Sequence, residues 1–131
     1  MDELPIRTGD DVVRVRQQVR MVAAKTGLSL VDQTKVVTAA SELARNALVH
    51  GGGGLARVEV VTSALGKSGI RVGFTDEGPG IADVDLALTD GWSSGVGLGL
   101  GLSGARRLVD EFELDSKPGE GTTVTVTKWS R

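Results

Sequence analysis

Apolar side chains recur at helical spacing in two stretches of the amino-terminal half of the chain. The first predicts a helix from about Asp10 to Thr26, because its valines share one face and Thr8-x-x-Asp11 has the spacing of a capping box. Gly27 is expected to end this helix. Ser29-x-x-Asp32 repeats the start signal and predicts a second helix from about Leu30 to Val49. The apolar stripe of the second helix comprises Val36, Ala40, Leu43, Ala44, Ala47 and Leu48.

Alternation of polar and apolar residues, together with Gly and Pro turn signals, predicts the strands. The predicted strands are Leu4–Arg7, Arg57–Thr62, Ile70–Asp76, Glu113–Ser116 and Thr122–Trp129, with turns at Gly66–Gly69 and Lys117–Gly121. Asp83–Leu88 is predicted as a short helix, and apolar residues from Leu98 predict a last helix that ends near Asp110–Phe112. This order predicts an α/β protein of the α+β two-layer sandwich type, in which helices cover one face of a mixed, mostly antiparallel sheet.

Composition narrows the function classes. With 131 residues the chain is expected to form one domain, residues 1–131. A net charge of −2 with no strongly basic stretch argues against nucleic-acid binding. The sequence has no cysteine and one histidine, so disulfides and Cys/His zinc sites are excluded and a metal would take oxygen ligands, as Mg²⁺ does. No signal-peptide core or membrane-length apolar run is present, and a cytoplasmic location is the expectation.

Glycines are concentrated between Asp76 and Ala105. Asp76, Gly78 and Gly80 form Asp-x-Gly-x-Gly, and alternating glycines at positions 95, 97, 99 and 101 lead into the last predicted helix. Glycine allows main-chain N–H groups to approach a ligand, and a helix start favours an anion, so we expect a nucleotide phosphate between Gly95 and Gly104. The preceding stretch, Asp90–Val96, has the small and polar composition of a mobile lid.

Two familiar glycine motifs do not explain this stretch. Gly99-x-Gly101-x-x-Gly104 matches the dinucleotide fingerprint, but it follows no strand and has no acidic residue in a suitable strand about 20 residues later. A Walker loop is excluded, because Gly-Lys-Ser/Thr does not occur in the chain. The sequence therefore predicts a different kind of nucleotide site.

Asp76 ends a predicted strand on its buried side. A carboxylate in that position is costly without a partner, and the exocyclic amine of adenine would be a suitable donor to it. The alternative is that Asp76 only caps a turn with Gly78. From the residues alone, these two interpretations are equally supported.

Glu42, Asn46 and His50 follow one another at four-residue spacing on the second predicted helix. One interpretation is a solvated helix edge. The other is that Asn46 offers its amide oxygen to Mg²⁺ while Glu42, one turn earlier, acts as a general base. His50 suits the carboxyl end of a helix and is left out of the chemistry.

Together, these motifs resemble the GHKL ATPase and kinase superfamily. Ser41–Ala47 is similar to its N box, Asp76–Ile81 to its first glycine box, Gly97–Leu102 to its second, and Gly121–Thr123 to its Gly-Thr element. Within the superfamily the short chain resembles the anti-sigma-factor class of serine kinases. The resemblance implies the Bergerat ATP-binding fold and serine/threonine protein kinase activity.

The resemblance also implies roles for individual residues. Asn46 would ligate the Mg²⁺ that bridges the ATP phosphates, Glu42 would be the catalytic base, and Asp76 would accept a hydrogen bond from adenine with support from Thr122 or Thr123. The other implied ATP-binding residues are Gly78, Gly80, Ile81, Trp92, Ser93, Ser94, Gly95, Gly97, Leu98, Gly99, Leu100, Gly101 and Leu102. Implied partners are STAS-domain proteins of a stressosome, as substrates, and a PP2C-type phosphatase that the released kinase activates. The expected oligomeric state is a monomer or a weak homodimer.

Val49 departs from the family pattern, because many members of this class carry a lysine there, near the phosphates. Loss of that charge predicts slow, partner-assisted transfer. A second function therefore stays open beside the kinase, namely a nucleotide-gated protein-binding module with little or no transferase activity.

Overall fold

The computed structural model describes residues 2–78 and 101–131, which form five strands and three helices. In chain order they are β1 (Asp2–Ile6), α1 (Gly9–Lys25), α2 (Leu30–Val49), β2 (Gly54–Thr62), β3 (Ser68–Asp76), α3 (Gly101–Arg107), β4 (Glu111–Ser116) and β5 (Thr122–Trp129). The predicted short helix Asp83–Leu88 and the predicted lid Asp90–Val96 lie outside the described residues.

The strands form one five-stranded sheet in the order β1-β2-β3-β5-β4. All four pairings are antiparallel. The described strands therefore form a purely antiparallel sheet, whereas we expected a mixed, mostly antiparallel one. Gly54, Asp76 and Thr122 pair across β2, β3 and β5 at what we call the Asp76 end. At the opposite, distal end the same strands reach Thr62, Ser68 and Trp129.

Local signals set the bounds of the first two helices. The Thr8 side chain caps the Asp11 N–H while the Asp11 carboxylate accepts from the Thr8 N–H at 3.2 Å, so the predicted capping box is present. The Ser29 hydroxyl accepts from the Asp32 N–H at 3.1 Å, and α2 begins one residue after Ser29. Because α1 ends near Gly27, whose φ is +81°, the chain turns back and α2 runs antiparallel to α1.

The core lies between the helices and one face of the sheet. Alternate strand residues and one stripe of each long helix are buried there, as the periodicities predict. Fully or almost fully buried side chains include Ile6, Val15, Val19, Val36, Leu43, Val58, Ile70, Val72, Phe74 and Val126. In α2 the predicted stripe is confirmed, although Leu48 is only half-buried, and Val37 and Ala39 are buried as well.

The end of α3 differs from the prediction. The helix ends at Arg107, and Phe112 belongs to β4, where it pairs with Val126 instead of continuing the helical stripe. Asp110 explains the early change of direction, because its carboxylate accepts from the Trp129 N–H at 2.8 Å and its own N–H donates to the Thr127 carbonyl at 3.0 Å. Backbone pairing with β5 therefore overrides the apolar spacing.

The β2–β3 turn also lies earlier than predicted. It spans residues 63–67, with Gly66 at a φ of +82°, while Gly69 belongs to β3. A Cβ at Gly69 would lie 2.6 Å from the Trp129 ring. Gly69 is thus a packing position under an aromatic side chain, and a turn is not required there.

Candidate functional site

The carboxyl-terminal half of α2 carries the polar line that the sequence predicts. Glu42 and Asn46 are both half-buried, between the buried stripe of Leu43 and Ala47 and the exposed Arg45. A freely solvated helix edge would expose both side chains more fully. Their partial burial, one helical turn apart, leaves two polar groups directed to the same side of α2.

A glycine turn connects this end of α2 to Asp76. The Asn46 carbonyl accepts from the N–H groups of His50 at 2.9 Å and Gly51 at 3.3 Å, which closes the helix. Gly51 then lies directly against the Asp76 side chain. The chain enters β2 at Gly54, the pairing partner of Asp76 in the sheet. This turn therefore brings the end of α2 with Asn46 close to the end of β3 with Asp76.

Asp76 is half-buried on the helix-side face, and its Oδ1 accepts from the Gly78 N–H at 2.9 Å. Among the described residues no donor contacts its second carboxylate oxygen. The two interpretations of Asp76 are thus compatible, because the turn with Gly78 fixes the orientation of the carboxylate and leaves one oxygen for another donor.

Glycines at three further positions surround Asp76 where side chains would collide with backbone. A Cβ at Gly54 would lie 2.2 Å from the Thr75 carbonyl oxygen, and one at Gly78 would lie 2.6 Å from the Gly51 Cα. Gly121 has a φ of +82°, and a Cβ there would lie 2.2 Å from the Asp76 carbonyl oxygen. Backbone segments are therefore packed closely around the end of β3, and only glycine fits at these three positions.

Strand register distinguishes the two threonines. Thr122 pairs with Asp76, so the two side chains lie on the same, helix-side face of the sheet. Thr123 pairs with Thr75 and with Asp115, on the opposite face. The Thr122 hydroxyl lies 2.8 Å from the Ser116 hydroxyl, and this contact orients it. Of the two candidates, Thr122 is the one positioned to act with Asp76.

A small cavity of about 180 Å³ opens at the β4–β5 hairpin and is lined by Asp115, Ser116, Lys117, Glu120, Gly121 and Thr123. Nucleotide-sized ligands need pockets of about 300 Å³ or more. This cavity includes the outward-facing Thr123 and neither Asp76 nor Asn46. We therefore do not assign it to the nucleotide.

The second glycine box lies mostly beyond the described part of the chain. Gly80, Ile81, Trp92, Ser93, Ser94, Gly95, Gly97, Leu98, Gly99 and Leu100 are outside the described residues. Gly101 begins α3, and Leu102 is buried in the core, where α3 packs against α2. The side chain of Leu102 thus anchors α3 beside the helix that carries Glu42 and Asn46.

The described residues contain no group of three or more His, Asp or Glu side chains that could hold a metal by themselves. No helix in the described part of the chain is long and apolar enough to cross a membrane.

Comparison with known proteins agrees with this geometry. Residues 31–130 match the family described as histidine kinase-, DNA gyrase B- and HSP90-like ATPases. The chain belongs to this ATPase family. Its match begins in the first turn of α2 and ends after β5, so it covers both Asn46 and Asp76. A nucleotide-binding function follows from membership of the family.

Relatives of this ATPase include small bacterial regulators. The chain is 45% identical, over 96% of its length and 94% of the relative's, to the serine/threonine-protein kinase RsbT of Bacillus subtilis. It is 27% identical to the anti-sigma F factor of Thermoanaerobacter pseudethanolicus, over 87% of this chain and 82% of that protein. These two relatives place the chain among ATPases of partner-switching regulators.

A solved structure supports the same grouping. The RsbU and RsbW domains of a Mycobacterium tuberculosis protein match with a TM-score of 0.64 and 26% identity, over the whole of this chain and 33% of that one. The histidine kinase domain from Erythrobacter litoralis has a TM-score of 0.53 at 18% identity and covers 95% of this chain and 60% of that one. The second match concerns the fold alone.

The sequence-based interpretation missed part of the site of this ATPase. Gly51 and Gly54 were not assigned to the site from the sequence, yet they pack against Asp76 and its neighbour in β3. Ser116, which contacts Thr122, was not singled out either. The four consecutive glycines after the N box were the available signal, because a turn alone does not need so many.

Proposed function

We propose that this protein is a serine/threonine protein kinase that transfers the γ-phosphoryl group of ATP to a hydroxyl of a STAS-domain protein. The observation that carries the proposal is the glycine turn, which sets the Asn46 end of α2 against Asp76. The 45% identity to a relative named as a serine/threonine-protein kinase supports the same activity. The STAS-domain substrate, as part of a stressosome, rests on the resemblance of the sequence motifs.

Asp76 is the adenine-recognition residue in this proposal. Its Oδ1 is held by Gly78, and its second oxygen accepts from the exocyclic amine of adenine. Thr122 supports the base from the neighbouring strand. Gly80, Ile81 and the stretch from Trp92 to Leu102 complete the ATP site, with the N–H groups of Gly97, Gly99 and Gly101 on the phosphates.

Asn46 is the proposed protein ligand of Mg²⁺. When it is bound, the ion neutralises charge on the phosphates during transfer. Glu42 lies one turn from Asn46 and removes the proton from the substrate serine or threonine hydroxyl. The hydroxyl oxygen forms a bond to the γ-phosphorus while the bond to the bridging oxygen breaks, so the products are a phosphoprotein and ADP.

A PP2C-type phosphatase is the proposed second partner. Phosphorylation of the STAS-domain protein releases the kinase, and the released kinase binds and activates the phosphatase. Two relatives named as anti-sigma F factors and one named as a serine/threonine-protein kinase support a regulator that works through protein partners. Because the proposed donor is ATP, we place this exchange in the cytoplasm.

The direct test is incubation of the protein with radiolabelled ATP, Mg²⁺ and a purified STAS-domain protein. We expect phosphoserine or phosphothreonine on the STAS-domain protein. Glu42→Gln is expected to keep ATP binding and to lower the transfer rate by about 10²–10⁴-fold, the usual contribution of a general base. A full rate in Glu42→Gln would exclude Glu42 as the base.

Asn46→Ala tests the metal assignment separately. If Asn46 is the protein ligand, calorimetry on this variant should detect no Mg²⁺-dependent gain in ATP affinity. Arg45→Ala is the matched control, because Arg45 is the exposed neighbour on the same helix. Equal Mg²⁺ dependence in both variants would defeat the assignment of Asn46.

Val49 favours a second candidate function. It is 46% exposed at the end of α2. The resemblance implies a lysine at this position in many members of the class, and a valine cannot neutralise charge on the phosphates. The alternative is a nucleotide-gated binding module whose output is the partner that it contacts. ATP-dependent binding of the STAS-domain protein without any phosphoryl transfer would establish this alternative over the kinase.

A further inference from the structure

Three side chains form one row across the sheet at the Asp76 end. Ser116 of β4 pairs with Thr122 of β5, and Thr122 pairs with Asp76 of β3. Residues that pair directly across antiparallel strands have their side chains on the same face, so all three lie on the helix side. All three are half-buried. The row therefore consists of two hydroxyl groups followed by the carboxylate that we assign to adenine.

The hydrogen bonds of this row have a defined direction. The Ser116 hydroxyl donates to the Gly121 carbonyl oxygen at 3.2 Å, and a carbonyl oxygen can only accept. Because a hydroxyl has one hydrogen, the Ser116 oxygen is the acceptor in its 2.8 Å contact with the Thr122 hydroxyl. Thr122 thus donates its hydrogen to Ser116, and both hydroxyl hydrogens of the row are directed away from Asp76.

The backbone fixes the last acceptor of this chain of hydrogen bonds. Gly121 ends the β4–β5 turn with a φ of +82°, and the Glu120 N–H donates to the Lys117 carbonyl at 3.0 Å within that turn. A Cβ at Gly121 would lie 2.2 Å from the Asp76 carbonyl oxygen, so the residue is packed against β3. The direction of the hydrogen bonds is therefore set by the closely packed turn and not by a mobile side chain.

This direction explains why Asp76 keeps one oxygen without a donor. A hydroxyl donates more strongly to a carboxylate than to another hydroxyl, and directly paired residues have Cβ atoms about 4.5–5.5 Å apart. Thr122 is therefore within reach of Asp76, yet its hydroxyl contacts Ser116 and neither oxygen of that carboxylate. Among the described residues only the Gly78 N–H donates to Asp76.

We propose that Ser116 is a positioning residue for base recognition. By accepting the hydrogen of Thr122, it leaves the second oxygen of Asp76 and the lone pairs of Thr122 as two acceptors on one face of the sheet. The amine of adenine carries two hydrogens that two acceptors can bind. A base with a carbonyl oxygen in that place, such as guanine, would meet acceptors alone and bind poorly. The inference rests on the proposed function, because it takes Asp76 as the residue that binds adenine.

The other role open to Ser116 is to join the two strands of the hairpin. Backbone pairing already connects β4 and β5 from Glu111 to Ser116, so a side-chain bond at the last pair is not needed to hold them together. The two roles differ in what they affect. A bond that only joins strands would influence every ligand of the site. A bond that positions Thr122 influences only ligands with an amine, and only while residue 122 carries a hydroxyl.

The first test is a double-mutant cycle with ATP affinity measured by calorimetry. Ser116→Ala removes the acceptor of Thr122, whose hydroxyl then turns to Asp76 and engages the oxygen that the adenine amine needs. We expect ATP affinity to fall about fivefold. In a Thr122→Val background no hydroxyl is left to turn, so addition of Ser116→Ala should change affinity by less than about twofold. An equal loss in both backgrounds would overturn the inference.

The second test uses purine riboside triphosphate, which carries a hydrogen in place of the adenine amine. Its affinity should be the same for wild type and Ser116→Ala, because it makes no use of the free oxygen of Asp76. Ser116→Thr keeps a hydroxyl and should bind ATP within about twofold of wild type. If Ser116→Ala instead weakens the binding of both nucleotides to the same extent, Ser116 has a structural role and the proposal is wrong.

Ser68→Ala is the matched control, because Ser68 is a half-buried serine at the distal end of β3, the strand that ends with Asp76. It should match wild type with both nucleotides. Unchanged ATP affinity in Ser116→Ala, in a protein whose Asp76→Asn variant binds ATP more weakly, would overturn the role of Ser116 alone. Failure of the wild-type protein to bind ATP would remove the proposed function together with this inference.

Discussion

Gly51 lies against the side chain of Asp76 so closely that a Cβ on the glycine would come within 2.4 Å of the Asp76 Cγ. Gly51 follows the end of α2, while Asp76 is the last residue of β3. The contact therefore sets the distance between the helix that carries Glu42 and Asn46 and the carboxylate that we assign to adenine. It is the point at which the two halves of the proposed ATP site meet.

The first prediction concerns this contact. Gly51→Ala should displace the Asp76 side chain, because the added methyl group also meets the Ala47 carbonyl oxygen at 2.7 Å and cannot move away. Overpacking of this kind costs about 1–3 kcal/mol of folding free energy. Separately, displacement of the carboxylate proposed to bind adenine should lower ATP affinity about tenfold in a titration. Gly9→Ala is the control, because a Cβ there meets nothing within 4 Å. Equal ATP affinity in both variants would show that the contact does not position Asp76.

The second prediction concerns base recognition. Asp76→Asn should weaken ATP binding by about 1–3 kcal/mol, because a charged acceptor is replaced by a group that also presents donors. In the wild-type protein GTP should compete poorly with ATP, since guanine carries a carbonyl where adenine carries its amine. If GTP competes equally well with wild type, Asp76 does not distinguish the base.

The third prediction separates two adjacent residues. Thr122→Val should lower ATP affinity, because Thr122 shares the face of Asp76 and its hydroxyl is oriented by Ser116. Thr123→Val makes the same replacement of a hydroxyl by a methyl group on the opposite face of the sheet, and it should leave ATP affinity unchanged. Titration of both variants with ATP makes the comparison, and a larger effect of Thr123→Val would contradict the register argument.

The fourth prediction concerns the buried lysine of β5. The Lys128 side chain is 5% exposed and lies 3.3 Å from Asp110 and 3.6 Å from Asp32. Lys128→Met should lower the free energy of unfolding by about 3 kcal/mol, because the buried Asp32 loses a buried cation and the partly exposed Asp110 loses one as well, although Arg131 still contacts both acids. Arg57→Met breaks the exposed pair with Glu3 and should cost under about 1 kcal/mol in the same urea titration. If both variants lose the same small amount of unfolding free energy, the ion pairs of Lys128 stabilise the fold no more than the exposed pair does.

The fifth prediction concerns acid stability. Burial by itself would raise the pKa of Asp110, but the Trp129 N–H and the charges of Lys128 and Arg131 outweigh it and hold that pKa below 3.8. Hydrogen bonds from the N–H of Arg7, and then of Thr8, together with Arg14, lower the pKa of Asp11 as well, against an opposing effect of burial. A lowered folded-state pKa gives stability that is present above the unfolded value and lost as the pH falls through the folded one.

Thermal unfolding of wild type and Asp110→Asn at pH 6 and pH 3 tests this. The variant should be clearly less stable at pH 6, where the wild-type carboxylate is charged. At pH 3 the difference should shrink, because the unfolded-state carboxyl is then largely protonated and the stability that the lowered folded-state pKa provides is being lost as the pH falls. A difference that is the same at both pH values would show that the charge of Asp110 does not contribute.

Local periodicity was sufficient for much of the fold. The bounds of α2 and β5 were predicted as they occur, because Ser29 marks the start of the helix and the Val-Thr alternation of β5 has a strict period of two. The face on which Asp76 lies was also correctly predicted from the alternation in β3. Phe112 was assigned wrongly, because an apolar residue at helical spacing can equally face the core from a strand.

The sequence by itself determined which residues are candidates for the chemistry, since an amide, two carboxylates and a set of glycines occur in a fixed order along the chain. Only the tertiary structure decided how they meet. Strand register placed Thr122 and not Thr123 beside Asp76, and backbone contacts turned the glycines after α2 into the wall of the site. The reason is physical, because pairing register and close packing depend on residues far apart in the chain, whereas periodicity reports only on neighbours. The same holds for the charge cluster in which the buried Lys128 contacts the buried Asp32 and the more exposed Asp110, since no local pattern in the sequence brings these three residues together.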